Sequence, residues 1–138
     1  MVKTIIKNIR ESYEHIPYTA KHYLAFMKVQ KQLTGKYKYR HHDWDKLFLF
    51  IFFPFLGDRI INQWHQKHNR HHPTFTVGKD WSKQIKSPKK VEWTEAIIDW
   101  ECARFTKPDK PLNARETMEK FYPEYRNEAE KALKELGL

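Results

Sequence analysis

Apolar residues recur at spacings of three and four along most of this 138-residue chain, and that spacing is the period of amphipathic helices. No segment shows convincingly the alternation of apolar and polar residues that is typical of a strand. The predicted helices cover residues 2–16, 18–33, 44–53, 59–72 and 88–105, with a short helix from Asn113 and a last one after Pro123. The sequence therefore predicts a compact all-α bundle of six or seven helices.

Prolines, glycines and capping residues set the predicted helix boundaries. Pro17 separates the first two helices, because a proline inside a helix removes a backbone hydrogen bond. Gly35 is a natural end for the second helix. Asp58 is the predicted N-cap of the fourth helix, and Pro73 ends that helix. Residues 73–87 lack helical period and are expected to form a long loop.

The length and composition are those of one folded domain, residues 1–138, because domains usually run to about 100–200 residues. An apolar fraction of 40% excludes a disordered chain. Cys102 is the only cysteine, which excludes an intramolecular disulfide and a four-cysteine zinc site. The first ten residues alternate charged and apolar types too quickly for a signal peptide, so a reduced, cytoplasmic setting is expected.

The longest apolar run, LFLFIFFPFL over residues 47–56, is interrupted by Pro54 and falls short of the roughly 20 residues that a membrane-spanning helix needs. A buried helix explains the run, and docking of residues 48–55 on a membrane surface is the alternative. The net charge of +9 is carried by the first two thirds of the chain. This charge would attract a nucleotide, nucleic acid or acidic lipid, although a solvated basic surface explains it equally well.

Histidines are unusually frequent, and half of the eight fall within residues 65–72. On a continuous helix, His65, His68 and His72 share one face with Asn69, whereas His71 points roughly opposite. Imidazoles on one helical face converge as a metal centre requires. The alternative is a polar helix surface with several exposed histidines.

Three further places carry residues that bind metals. His42 and Asp43 are adjacent at a predicted helix start, where consecutive side chains can reach the same side, although an aspartate is favoured there in any helix. Asp99 follows two isoleucines and is costly to bury unless it is paired or binds metal; otherwise it is exposed. Glu95 lies one turn earlier. His22 lies in an apolar stripe, where a histidine is also found as an ordinary core residue.

The order of these residues resembles that of the HD-domain superfamily of metal-dependent phosphohydrolases. His42-Asp43-Trp44-Asp45-Lys46 is similar to the His-Asp-x-x-Lys signature of that superfamily, whose lysine faces the substrate phosphate. The chain also resembles an uncharacterised family of small bacterial and phage HD-like proteins, over roughly residues 18–106. That family's pattern is matched by His22, His42, Asp43, Lys46, Asn69, His71, His72, Pro73 and Asp99. Asp45 departs from the pattern, because serine is usual at this position.

The resemblance implies a metal site at the centre of the bundle, holding one or two divalent ions. The implied ligands are His22, His42, Asp43, Asp99, His65 and His72, with His68 in reserve. Mixed imidazole and carboxylate ligands suit Mn²⁺, Fe²⁺, Co²⁺, Ni²⁺ or Zn²⁺. The metal would polarise a phosphoryl oxygen and activate water.

The same resemblance implies catalytic and substrate-binding roles for five residues. Asp99 or Glu95 would orient the attacking water, and Lys46, Arg40 and Arg70 would neutralise charge on the phosphate. The loop with Lys79, Trp81 and Lys83 would close over the substrate. Cys102, near Asp99, is expected to take no part in catalysis.

These observations predict a metal-dependent phosphohydrolase that acts on a nucleotide or another small phosphate ester. The alternative is a metal-stabilised helical binding module that uses its basic face on nucleic acid or a phosphorylated partner. The dependence on salt concentration distinguishes these two functions, because the affinity for nucleic acid falls steeply as salt rises.

Overall fold

The computed structural model describes residues 1–73, 91–107 and 112–138, together with the backbone of Thr76–Val77 and Ile85–Lys86. Within these residues it contains six α-helices: α1 (Val2–Thr34), α2 (Trp44–Phe52), α3 (Asp58–His68), α4 (Trp93–Ala103), α5 (Ala114–Phe121) and α6 (Arg126–Glu135). Two 3₁₀ helices, η1 (Pro54–Leu56) and η2 (Pro123–Tyr125), precede α3 and α6. The predicted compact all-α fold is confirmed.

The predicted long loop contains a short pair of strands that the sequence did not indicate. β1 (Thr76–Val77) and β2 (Ile85–Lys86) are antiparallel, with Val77 opposite Ile85. Two residues in each strand are too few to show the alternation from which a strand is predicted. The expected lid residues Lys79, Trp81 and Lys83 lie outside the described part of the chain.

The prediction of two helices on either side of Pro17 was wrong, because α1 continues through this residue and ends at Gly35. A proline inside a helix costs roughly 3 kcal/mol, since it has no backbone N–H. Burial on both sides of Pro17 offsets this local cost: Ser12 before it, and His22 and Phe26 after it, are fully or almost fully buried against the rest of the chain. The long helix thereby carries His22 to the centre of the fold.

The connection between α2 and α3 requires Gly57. Its φ is +85°, and a Cβ at this position would lie 3.0 Å from Cγ of Asn8 in α1. Gly57 occupies the N-cap position of α3, so the predicted cap, Asp58, is instead the first helical residue. α3 also ends earlier than predicted, at His68 and not at residue 72.

α4 is the central helix of the second half, because both of its faces are buried. Ile97 and Trp100 pack with residues of α5 and α6, whereas Ile98 and Cys102 pack with Phe26 of α1. Burying one such side chain contributes roughly 1.5–3 kcal/mol. This packing fixes the direction of α4 relative to α1. The predicted start of this helix at residue 88 was wrong, because Val91 and Glu92 are not helical and α4 begins at Trp93.

The apolar run over residues 47–56 is mostly not buried, contrary to the sequence-based interpretation. Phe50 and Pro54 are its only buried members, whereas Phe48 and Phe52 are 53% and 63% exposed. Within the described part of the chain, no helix combines the length and apolar character that crossing a bilayer requires.

Candidate metal centre

Residues from five places in the chain converge between α1, α3 and α4. The contributing side chains are His22 of α1, His42 and Asp43 before α2, His65 of α3, His71 and His72 after α3, and Glu95 and Asp99 of α4. Most of them are buried, and the histidine and carboxylate atoms fall into groups whose members lie within 4.8 Å of one another. These groups could hold a metal ion.

Asp43 lies at the centre of the cluster and has an unusual backbone conformation. It precedes α2 with φ +59° and is the one residue other than glycine with a positive φ in the described chain. Aspartate tolerates this left-handed region better than most residues, yet such conformations persist mainly where the surroundings require them. Here the conformation lets His42 and Asp43, consecutive residues, both point into the cluster, as the sequence predicted.

The two carboxylate oxygens of Asp43 face different histidines. Oδ2 lies 3.6 Å from Nε2 of His22 and 3.5 Å from Nε2 of His42. Oδ1 lies 2.9 Å from Nε2 of His65 and 3.2 Å from Nε2 of His71. Asp43 is therefore shared by two groups of imidazoles, one on each side of its carboxylate.

The first group consists of His22, His42 and Asp99. Oδ1 of Asp99 lies 2.7 Å from Nε2 of His22 and 3.3 Å from Nε2 of His42, and the two histidine nitrogens are 3.3 Å apart. Together with Oδ2 of Asp43, these atoms form a compact set of nitrogen and oxygen donors. All four residues were candidates from the sequence.

The second group consists of Asp43, His65, His71 and His72. Its four facing atoms, Oδ1 of the aspartate and Nε2 of each histidine, are buried and have no hydrogen-bond partner among the described residues. Asp43 lies close enough to His65 and His71 to form ion pairs when those rings are protonated. Buried polar atoms without partners are rare and costly, and a cation between them satisfies all four. The residues present therefore fit a metal ion.

Outer carboxylates orient the imidazoles. Oε1 of Glu95 lies 3.1 Å from Nδ1 of His42 and 3.3 Å from Nδ1 of His71, and Oδ2 of Asp45 lies 2.7 Å from Nδ1 of His65. Metal-binding histidines commonly donate their second ring N–H to a carboxylate in this way, which leaves the other nitrogen free to bind. Asp45 thus has a structural partner in His65.

The carboxylates of the cluster stay ionised despite their burial. Burial alone would raise the pKa of Asp43, but His42 and His65 hold it well below its ordinary value. Burial likewise acts to raise the pKa of Asp99, and hydrogen bonds from His22 and His42 outweigh it. The site is therefore strongly anionic once its histidines are neutral.

The pKa values of two cluster histidines, His72 and His42, are shifted in opposite directions. Burial and the neighbouring charge of His71 lower the pKa of His72 to about 3, so this ring is neutral, as a ligand must be. Burial also acts to lower the pKa of His42, but Asp43 and Asp99 raise it to about 10. In the metal-free protein, protonated rings such as that of His42 supply the positive charge that balances the carboxylates.

The prediction that His71 points away from the site was wrong. It assumed a helix through residue 72, but α3 ends at His68 and Asn69 is extended. The side-chain amide of Asn69 donates to Asp45 at 2.8 Å and to the carbonyl of His65 at 2.9 Å, which turns the chain out of the helix. His71 then folds back into the cluster and is 2% exposed. Pro73 was the signal available, because a residue before proline disfavours helical geometry.

Three predicted residues lie apart from the cluster. His68, the reserve ligand, belongs to none of the metal-type groups, and its Nδ1 donates to the carbonyl of Trp64. Arg40 is exposed and lines a separate hollow with Trp44. Arg70 is also exposed, and its carbonyl accepts from the backbone of Glu92. Neither arginine lines the cavity beside the metal groups.

Lys46 does line that cavity, which has a volume of about 280 Å³. Its Nζ is 4.0 Å from Oδ2 of Asp43, so a cationic group borders the anionic cluster at this point. Asp99 also lines the cavity, whereas Glu95 does not. The sequence missed the other polar lining residues, among them Tyr18 and Lys107, because nothing in their neighbourhoods on the chain marks them.

Cys102 is fully buried next to the first group. Its Sγ lies 3.8 Å from Nδ1 of His22 and donates to the carbonyl of Asp99 at 3.2 Å. Burial and the nearby charge of Asp99 raise the pKa of this thiol. A thiol held in its neutral form is a poor nucleophile.

No protein-family model, curated protein or solved structure matches this chain. The chemistry of the site is therefore inferred from its geometry and from the types of its residues.

Proposed function

We propose that this chain is a metal-dependent hydrolase of small phosphate esters, with the carboxylate of Asp43 shared by two metal positions. The observation that carries the proposal is the second group, in which Oδ1 of Asp43 and three histidine nitrogens are buried without hydrogen-bond partners. A cation between these four atoms would satisfy them, and Lys46 beside the cluster would hold a phosphate next to that cation.

His22, His42, Asp99 and Oδ2 of Asp43 would hold one ion. Oδ1 of Asp43 would hold the second ion together with His65, His71 and His72. The mixture of imidazole and carboxylate suits Mn²⁺, Fe²⁺, Co²⁺, Ni²⁺ or Zn²⁺. Ions at these positions supply Lewis-acid chemistry, which neutralises phosphoryl oxygens and favours ionisation of water.

The chain's own residues would position the substrate. Among the described residues, Lys46 is the one lysine or arginine whose charged group lies within 4.0 Å of Asp43, and it matches the lysine of the His-Asp-x-x-Lys signature. Its ammonium group would bind a phosphate oxygen beside the cluster. Asp99 borders the same cavity and would accept a hydrogen bond from the attacking water. Glu95 would act as a positioning residue, since it contacts the rings of His42 and His71.

The test is hydrolysis of p-nitrophenyl phosphate and bis(p-nitrophenyl) phosphate by protein reconstituted with each of the five metals in turn. We expect turnover that requires a metal, stops with EDTA and returns when the metal is restored. Asp43→Asn should remove it. His41→Gln is the matched control, because His41 is exposed and stacks edge-on against Trp44.

Absence of turnover with every metal and both esters would overturn the proposal. If the same preparations bound an oligonucleotide with an affinity that falls steeply as salt rises, the alternative of a metal-stabilised binding module would replace it.

A further inference from the structure

The cavity beside the metal groups adjoins a second one. The first, which we name the polar chamber, is lined by Lys46, Tyr18, Asn62 and His15 besides the cluster residues. The second, the aromatic chamber, has a volume of about 370 Å³ and is lined by Trp100, Ala103, Leu112, Thr117, Phe121 and Tyr122. Gln66, His72, Asp99 and Lys107 line both, so the two chambers are neighbours.

The wall of the aromatic chamber is built from rings. Trp100 and Tyr122 are stacked, with ring centroids 5.0 Å apart and planes within 4° of each other. The pair is anchored in the core between α4, α5 and α6, where Trp100 is 5% exposed. Phe121 follows on the same wall and is 48% exposed although it is apolar. Rings held in this way favour planar partners, which stack or meet them edge to face.

The two chambers differ in charge as well as in shape. Lys46 lies only in the polar chamber, next to Asp43, and Lys107 lies at the junction. An anionic phosphate is therefore favoured on the polar side, and the aromatic side is left for the rest of the substrate. At about 370 Å³ the aromatic chamber is near the lower end of the usual range for ligand sites, which suits one ring system and not a polymer.

We propose that the substrate is a phosphate ester with a planar aromatic organic part, which lies in the aromatic chamber against Phe121 and Tyr122 while its phosphate faces Lys46. Lys107 spans the junction and binds the phosphate from the other side. This inference rests on the proposed function, because it assigns the substrate class of the same site. Phe121 is the residue that determines specificity.

The experiment measures binding and needs no turnover. Calorimetric titrations of the metal-reconstituted protein compare phenylphosphonate with methylphosphonate, which have the same anionic head and differ in the ring. We expect phenylphosphonate to bind about ten- to hundredfold more tightly, which is what burial of one ring contributes. Phe121→Ala should reduce this preference to less than about threefold and leave methylphosphonate unchanged.

Phe105→Ala is the matched control. Phe105 is 58% exposed, has a cationic side chain over its ring as Phe121 does, and lies in a different hollow. Ala103→Phe is a second variant, which fills the aromatic chamber from α4 and should abolish the preference while the wall rings stay in place.

The outcomes separate the two proposals. Equal binding of both phosphonates by a protein that hydrolyses p-nitrophenyl phosphate would overturn the aromatic chamber alone. A clear preference for phenylphosphonate without any hydrolysis would support the chamber and overturn the hydrolase. Binding of neither phosphonate would overturn the chamber whatever the hydrolysis assay gives.

Discussion

Asp45 accepts a hydrogen bond from Nδ1 of His65 at 2.7 Å, and this bond leaves Nε2 of the same ring facing Asp43 at 2.9 Å. Because the outer nitrogen contacts Asp45, the inner nitrogen is the one that a metal in the second group would bind. Asp45 is therefore placed to orient the ring of His65 for metal binding.

We expect Asp45→Ala to weaken metal binding by about ten- to hundredfold without unfolding the protein, because it removes only an outer partner of the ligand. Competition with a chelating dye measures the affinity, and circular dichroism checks the fold. Asp58→Ala is the matched control, since Asp58 pairs with His15 and neither residue belongs to a metal-type group. An affinity equal to that of the wild type would show that the bond to His65 does not orient the ring for metal.

A second prediction concerns the histidines after α3. His71→Ala should lose about half of the bound metal, because His71 belongs to the second group, and His72→Ala should do the same. His68→Ala should keep the metal content of the wild type, since this ring lies outside the metal-type groups. Elemental analysis of the three variants decides the matter. Full metal content in His71→Ala would support the continuous helix expected from the sequence.

Metal binding should release protons. The pKa of His42 is raised to about 10 and that of His71 to about 9, so both rings are protonated in the metal-free protein near neutral pH. Ligand imidazoles must be neutral, so an entering ion displaces about two protons, and affinity rises with pH up to about pH 9–10. Calorimetry in buffers of different ionisation enthalpy measures the release. The same heat in every buffer would contradict it.

Cys102 should be chemically inert. The thiol is fully buried, and its pKa is raised by that burial and by the charge of Asp99. We expect no reaction with Ellman's reagent until the protein is unfolded, and Cys102→Ser should change the rate of hydrolysis by less than about threefold. A loss of about a hundredfold, with the metal still bound, would instead indicate a thiol mechanism.

The sequence predicted the helices and most of the cluster because these depend on local signals. Apolar spacing identifies a helix. The resemblance of the order His22, His42, Asp43 and Asp99 to the HD-domain pattern predicted four residues that the fold brings together. Local signals of this kind carry no information about contacts between residues that are distant in the chain. Pro17 is a strong local signal for a helix end, yet burial of both halves of α1 outweighs it.

The part that the sequence could not predict depends on contacts between distant residues. The end of α3 is set by the bond between Asn69 and Asp45, which are 24 residues apart, and that bond decides the direction of His71. The aromatic chamber is likewise formed by α4 and α5 together with Gln66 of α3 and His72. Phe121 carries no mark in the sequence that distinguishes it from Phe105.

The most direct test of the central claim is the number of metal ions per chain, measured by elemental analysis of untagged protein reconstituted with each of Mn²⁺, Fe²⁺, Co²⁺, Ni²⁺ and Zn²⁺. Two groups of ligands that share Asp43 predict about two ions per chain for the preferred metal, and Asp43→Asn should lose both. Less than about 0.2 ions per chain with every metal would contradict the account, because the four unpartnered atoms around Asp43 would then have to be satisfied without a cation.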